Sequence, residues 1–243
     1  MKNSKKNTDN NSKNNTEGNI TAALAQIRQR IADAEQRFNR DAGSVQLLAV
    51  SKTKPVTDIQ AAINAGQSCF AENYLQEAVG KIIHLSNAQV DWHFIGSIQS
   101  NKTRDIAQYF QWVHAIDRVK VARRLSELLP DYLPPLNVCL QINISGEKSK
   151  SGIEPHELNQ LADDCASLPN IRLRGLMTMP AQDSDFERQR VPFRKLRQLL
   201  TELQTVYPEL DTLSMGTTND LEAAVAEGAT ILRIGTAIFG ARG

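Results

Sequence analysis

Eight short β-rich runs, separated by stretches with helical spacing, constrain this chain more than any other feature. The runs cover residues 45–50, 68–71, 92–95, 112–116, 137–144, 172–177, 212–215 and 231–234. Between them apolar residues recur three and four apart, as at Leu75, Val79, Ile82 and Ile83, at Leu158, Leu161, Ala162 and Cys165, and at Phe193, Leu196, Leu199 and Leu203. That spacing lines one face of a helix. Strand and helix in strict alternation call for parallel strands joined by crossover helices. Eight such units suit a single closed (β/α)8 barrel, for which roughly 250 residues is typical. An open doubly wound sheet is the competing architecture, and a dinucleotide-binding sheet would place Gly-x-Gly-x-x-Gly after its first strand. The first run leads instead into Ser51-Lys52-Thr53-Lys54-Pro55, which favours the barrel.

The barrel is expected to span residues 20–243, opening with a helix whose apolar face is Leu24, Ile27, Ile31, Ala34 and Phe38 and whose cap is Asn19. Residues 1–19 carry no aliphatic or aromatic side chain after Met1 and cannot offset the entropy cost of ordering, so they are expected to form a disordered leader. No run approaches the roughly 18–20 apolar residues of a membrane span, and the N-terminus has no apolar segment resembling a secretion signal. A cytoplasmic location is therefore expected. Cys69, Cys139 and Cys165 are odd in number and lie in apolar stretches, which reads as buried free thiols in a reducing compartment. The formal net charge is +1, and setting aside the leader leaves 24 basic against 25 acidic residues. Such a neutral body argues against nucleic acid or an acidic membrane as the main partner.

In a (β/α)8 barrel the functional residues gather where the strands end, because the eight following loops converge on one rim. Lys52 stands at the end of the first run. A rim lysine flanked by apolar strand residues can lose its proton, since desolvation disfavours the ammonium form, and a free amine adds to an aldehyde. A plain surface lysine is the other reading, and Lys54 competes for the role. The loops after strands seven and eight form a second constellation, at positions where barrels often bind phosphate. Gly216-Thr217-Thr218-Asn219 offers close backbone approach, hydroxyl donors and the start of a helix, while Gly235-Thr236 supplies another amide and hydroxyl. Read singly, either loop is an ordinary Gly-Thr turn; together they point to phosphate.

Arg233 lies two residues before Gly235, so both face the same way along the last strand. An arginine inside an apolar strand needs a partner, either a carboxylate or an acceptor atom on a ligand. His84, His93, His114 and His156 show no metal-ligand spacing, Trp92 and Trp112 read as packing, and Lys148 and Lys150 read as solvated surface.

Long motifs add a family resemblance. The strings Leu48-Ala49-Val50-Ser51-Lys52-Thr53-Lys54-Pro55, Ala71-Glu72-Asn73-Tyr74-Leu75-Gln76-Glu77, Trp92-His93-Phe94-Ile95-Gly96, Gln99-Ser100-Asn101-Lys102, residues 143–152, Gly175-Leu176-Met177 and Arg233-Ile234-Gly235-Thr236-Ala237-Ile238-Phe239-Gly240 closely resemble those of the pyridoxal phosphate homeostasis proteins, the YggS/PROSC family. The likeness runs in order from about residue 20 to residue 242. It implies a barrel of the alanine racemase N-terminal-domain type (fold type III of the pyridoxal phosphate proteins), with pyridoxal 5′-phosphate held as a Schiff base on Lys52 rather than Lys54. Carried over position by position, it implies Asn73 beside the cofactor ring, Thr218, Gly235 and Thr236 around its phosphate, and Arg233 facing the pyridine nitrogen; Met177, Gly216 and Thr217 are also expected among the cofactor-binding residues. The implied role is in vitamin B6 homeostasis, with PLP-dependent apoenzymes as recipients, and a monomer is expected.

Two departures stand out. The family has Gly-Glu-Asn-Tyr where this chain has Ala71-Glu72-Asn73-Tyr74, and Gly-Met-Ser-x-Asp where it has Gly216-Thr217-Thr218-Asn219-Asp220. Thr218 keeps the hydroxyl and adds a methyl, so phosphate affinity should change; Ala71 narrows the backbone angles open to that turn. A carrier rather than a catalyst is expected. Racemases of this barrel type take a second base from a further domain, and the chain stops soon after the eighth run. An arginine opposite the pyridine nitrogen also makes the ring a poor electron sink. The competing functions are a PLP-dependent racemase or lyase and a Schiff-base aldolase acting on a sugar phosphate.

Overall fold

The computed structural model describes residues 4–147 and 150–241, with side chains from residue 16 onward. Eight parallel strands close into a barrel in sequence order: β1 (Gln46–Val50), β2 (Cys69–Glu72), β3 (Asp91–Phe94), β4 (Trp112–Ile116), β5 (Leu136–Gln141), β6 (Ile171–Met177), β7 (Thr212–Ser214) and β8 (Ile231–Ile234). Closure comes from β1 against β8, paired from Gln46 with Ile231 to Ala49 with Ile234. Around the outside run α2 (Val56–Asn64), α3 (Leu75–His84), α4 (Thr103–Tyr109), α5 (Val119–Leu128), α6 (Leu158–Ala166), α7 (Phe186–Gln204) and α8 (Leu221–Ala226), preceded by α1 (Ser4–Arg37) and followed by the single turn α9 (Thr236–Phe239).

Successive strand residues point to opposite faces, so each strand serves two cores. Outward-facing Leu47, Ala49, Phe70, Val113 and Leu213 pack with the helices in one large buried cluster. The other face carries two small apolar clusters, Leu48, Cys69, Ala71, Ile95 and Ile231 in one, Ala115, Cys139 and Met177 in the other. Buried on both sides, the strands read as nearly continuous apolar runs, and seven of the eight expected runs agree with the observed strands to within one residue at each end.

Two expectations are corrected. The fifth run was expected over 137–144, whereas β5 ends at Gln141; Ile142 bridges Ile153, and Asn143 N–H donates to Ile153 O at 2.8 Å, so the chain there pairs with its own returning loop. Helix α1 does not begin at Asn19 but runs through it from Ser4. Thr21 Oγ1 donates to Glu17 O, and Glu17 Oε1 accepts from Asn64 Nδ2 at 2.9 Å, so α1 touches α2 before the expected cap. The side chains of residues 4–15 lie outside the description, and so do residues 148 and 149, which takes the expectation for Lys148 out of view. Lys150 pairs with Glu147 at 3.2 Å. The three cysteines are free and buried, and burial pushes the Cys139 and Cys165 thiols up to about 12. Among the described residues no helix is long and apolar enough to cross a membrane.

Candidate functional site

The C-terminal ends of β1, β2, β7 and β8 surround a cavity of about 510 Å³, within the range of small-molecule sites. Seven of the nine expected residues line it: Lys52, Asn73, Thr217, Thr218, Arg233, Gly235 and Thr236. Val50, Ile95, Met179, Gln182, Asn219 and Ala237 complete the wall.

Lys52 follows Ser51, whose N–H donates to Ala71 O at 3.0 Å, so the lysine stands where the chain turns out of β1. Thr53 then turns with φ 63°, a left-handed conformation costly for a β-branched residue. The turn separates the two lysines: Lys52 lines the cavity, whereas Lys54 Nζ reaches away to donate to Ala241 O at 2.7 Å. Asn73 occupies the next strand end. Its Oδ1 is buried in the described structure without a hydrogen-bond partner, an acceptor on a side chain that lines the cavity. Gly96 permits this placement, because a Cβ there would stand 2.2 Å from Asn73 O. Ala71 lies within β2, fully buried, and among the described non-glycine residues only Asn39 and Thr53 show positive φ, so the alanine fits an ordinary strand.

The two Gly-Thr loops, at the ends of β7 and β8, divide their donors. Thr217 donates both its N–H and its Oγ1–H to Asp220 Oδ1, which makes it a brace for the loop rather than an open anion ligand. Thr218 and the 235–237 turn remain on the wall, and the leading N–H groups of a helical turn have no intrahelical partner. Helix α1 supports the loop from outside: Arg30 Nη2 donates to Thr218 O at 3.2 Å while pairing with Glu222 at 2.8 Å. Gly216 is not part of the wall. At φ 92°, a Cβ there would meet Ala224 Cβ at 2.5 Å and Leu232 at 2.6 Å, so its glycine serves backbone and packing. Met177 is also absent from the wall, fully buried with Ala115 and Cys139 deeper in the barrel; Met179, half exposed, takes the rim position.

Arg233 is buried, and among the described residues it makes no ion pair. Its Nη1 donates to Ser214 Oγ at 2.7 Å and its Nη2 to Thr178 O at 2.8 Å. Behind Ser214 a ladder runs through the barrel: His114 Nδ1 lies 2.8 Å from Ser214 Oγ, and His93 Nδ1 lies 2.9 Å from His114 Nε2. Trp112 stacks on His93 at 5.3 Å. Burial pushes His93 down to about 3 and, with the nearby His93 and Arg233, holds His114 well below the usual range, so both rings are neutral near pH 7. Burial also lowers Arg233 to about 10, which leaves it cationic at neutral pH. The ladder escaped the spacing test because its members come from four strands that meet only on closure. Gln182, on the loop after β6, carried no signal beyond its neighbourhood to the sixth strand end.

Fold and cavity together define a class: a closed (β/α)8 barrel with a lysine at the end of β1 and two Gly-Thr loops at the ends of β7 and β8 around one cavity at its mouth. The family model "Alanine racemase, N-terminal domain" matches residues 23–243. Alanine racemase from Corynebacterium glutamicum shares the fold with a TM-score of 0.65 at 18% identity, covering 90% of this chain and 61% of that one. The chain belongs to the family of pyridoxal phosphate homeostasis proteins. It is 55% identical over 223 residues to the member from Pseudomonas aeruginosa, spanning 92% of this chain and 96% of that one, and 52% identical over 226 residues to the member from Escherichia coli K12, spanning 92% and 97%. PipY of Synechococcus elongatus, solved with PLP bound, superposes with a TM-score of 0.79 at 34% identity, covering 91% of this chain and all of that one.

Proposed function

We propose that this chain binds pyridoxal 5′-phosphate in the cavity at the barrel mouth and serves its homeostasis in the cytoplasm as a carrier or regulator, without turning over a substrate. The observation that carries this reading is the convergence of Lys52, Asn73, Thr218, Arg233, Gly235 and Thr236 on one cavity. The residues fit the group. An amine stands at the end of β1 and hydroxyl and amide donors at the ends of β7 and β8, while the buried, unpartnered Asn73 Oδ1 offers an acceptor to a polar ligand. On Gly235 a Cβ would meet Val50 O at 3.1 Å, so the glycine lets the start of the β8 loop pack closely against the end of β1.

Pyridoxal phosphate supplies an aldehyde, with which a primary amine forms a reversible covalent link. Lys52 provides that amine. Thr218, Gly235 and Thr236 hold the phosphate through hydroxyl and backbone N–H donors, and Asn73 orients the ring. Val50 and Ile95 exclude water along one side. Arg233 presents donors only, anchored from behind by Ser214 and Thr178. Because it cannot accept a proton, it provides neither a general base nor the carboxylate partner that would keep a proton on the group it faces. That feature supports a carrier, as do the homeostasis names of the relatives.

The test is the near-visible absorbance of protein incubated with the cofactor. Wild type is expected to show the band of the lysine-bound aldehyde and Lys52→Ala to lose it together with retained cofactor. A band of equal strength in Lys52→Ala refutes the reading.

A further inference from the structure

The peptide groups on either side of Lys52 are both held by one buried ionic cluster. Lys81 Nζ, on α3, donates to Ser51 O at 2.8 Å, to Glu72 Oε1 at 2.8 Å and to Glu77 Oε1, which uses all three of its N–H donors. Glu77 Oε1 in turn accepts from Thr53 N–H at 2.6 Å, and Glu72 Oε1 accepts from Ser51 Oγ at 2.6 Å. Lys81 is 5% exposed and Glu72 fully buried. A lysine is sequestered at such cost only with its partners in place, and breaking a buried pair strands a charge. The residue between the two clamped peptides is Lys52, followed at once by the left-handed Thr53, and strained backbone persists where its surroundings over-determine it. Glu72 also precedes Asn73, so the same cluster ties the two strand ends that present Lys52 and Asn73 to the cavity.

We propose that Lys81, with Glu72 and Glu77, is the positioning residue for Lys52, fixing the Ser51-Lys52-Thr53 turn so that the Lys52 amine is aimed at the aldehyde. This rests on the function proposed above. The chemistry itself stays with Lys52: its Nζ forms the bond to the aldehyde carbon, and the aldehyde oxygen leaves as water. Lys81, with every donor committed, touches neither.

Two variants test the clamp. Lys81→Met removes the ammonium at nearly constant shape, and Glu77→Ala, on a partly exposed helix position, removes the acceptor for Thr53 N–H with little risk to folding. The rate at which pyridoxal phosphate becomes borohydride-trappable on the Lys52 peptide is measured beside equilibrium binding of pyridoxine 5′-phosphate, which lacks the aldehyde. Both variants are expected to slow trapping about ten-fold or more while binding the analogue within about two-fold of wild type, since orientation rather than contact is lost. Exchange of the Thr53 amide in cofactor-free protein is expected to rise about ten-fold. Trapping at the wild-type rate, equal losses of trapping and analogue binding, or unchanged Thr53 exchange in folded Glu77→Ala overturns the proposal. Should wild type itself take no label on Lys52, the cofactor reading fails, and Thr53 exchange alone still decides whether the clamp exists.

Discussion

Arg233 Nη1 stands 2.7 Å from Ser214 Oγ, and that hydroxyl also lies 2.8 Å from His114 Nδ1, so the cation at the cavity wall is held from inside the barrel by neutral groups. Removing the hydroxyl leaves a buried guanidinium short of one acceptor. Ser214→Ala is expected to cost about 1–3 kcal/mol, read from the urea midpoint, and to weaken cofactor retention.

The two buried histidines make stability fall on the acid side. In the unfolded chain His93 titrates at 6.5, whereas the folded ring holds off protonation to about 3, and His114 shifts the same way. Between those values the unfolded state binds more protons, so folding weakens as pH drops below about 6.5. Glu72 works against this, because burial raises its pKa above 4.5 and the native state takes up that proton more readily. Two histidines outweigh one carboxyl, giving a loss on the order of 1–2 kcal/mol per pH unit between about pH 6 and pH 5. Urea titrations across that window check it, and His93→Phe, which keeps the stack on Trp112, should flatten the slope by about one proton.

The support that α1 gives the phosphate loop is separable from stability. Arg30 and Glu222 are each more than one-third exposed, so breaking their pair should cost under about 1 kcal/mol. Losing the contact to Thr218 O should nonetheless loosen the loop. Arg30→Ala is expected to reduce affinity for inorganic phosphate or pyridoxal phosphate about three-fold, measured by calorimetry, with the melting temperature nearly unchanged.

Gly216 carries the opposite signature. An alanine there faces both a left-handed backbone and a Cβ contact of 2.5 Å. Gly216→Ala is expected to destabilise by about 2–4 kcal/mol, seen in thermal unfolding, although the residue lies behind the wall.

The barrel was legible because its strands are buried on both faces, which leaves nearly unbroken apolar runs between helical patterns. The cavity was legible because barrel geometry says where strands end; Lys52, Asn73, Arg233 and the two Gly-Thr loops needed only that rule and a family likeness. What stayed hidden depends on tertiary closure. Lys81 reads as an ordinary helix-surface lysine until α3 packs beneath the β1 turn. His93, His114 and Ser214 sit in separate strands with no local spacing to join them. Met177 looked like a rim residue because the sixth strand ends there, yet its side chain packs with Ala115 and Cys139, and the residue on the wall is Met179, two positions on. The end of β5 was overread because Ile142 and Ile144 keep a strand-like pattern while pairing outside the ladder.

The central claim is that one amine, Lys52, takes the aldehyde. Incubating the native protein with pyridoxal phosphate, reducing with borohydride and mapping peptides by mass measures this directly. A single phosphopyridoxyl group on Lys52, close to one per chain, is the expected result. Label on Lys54 or scattered over surface lysines, or protein that stays unlabelled, contradicts the account.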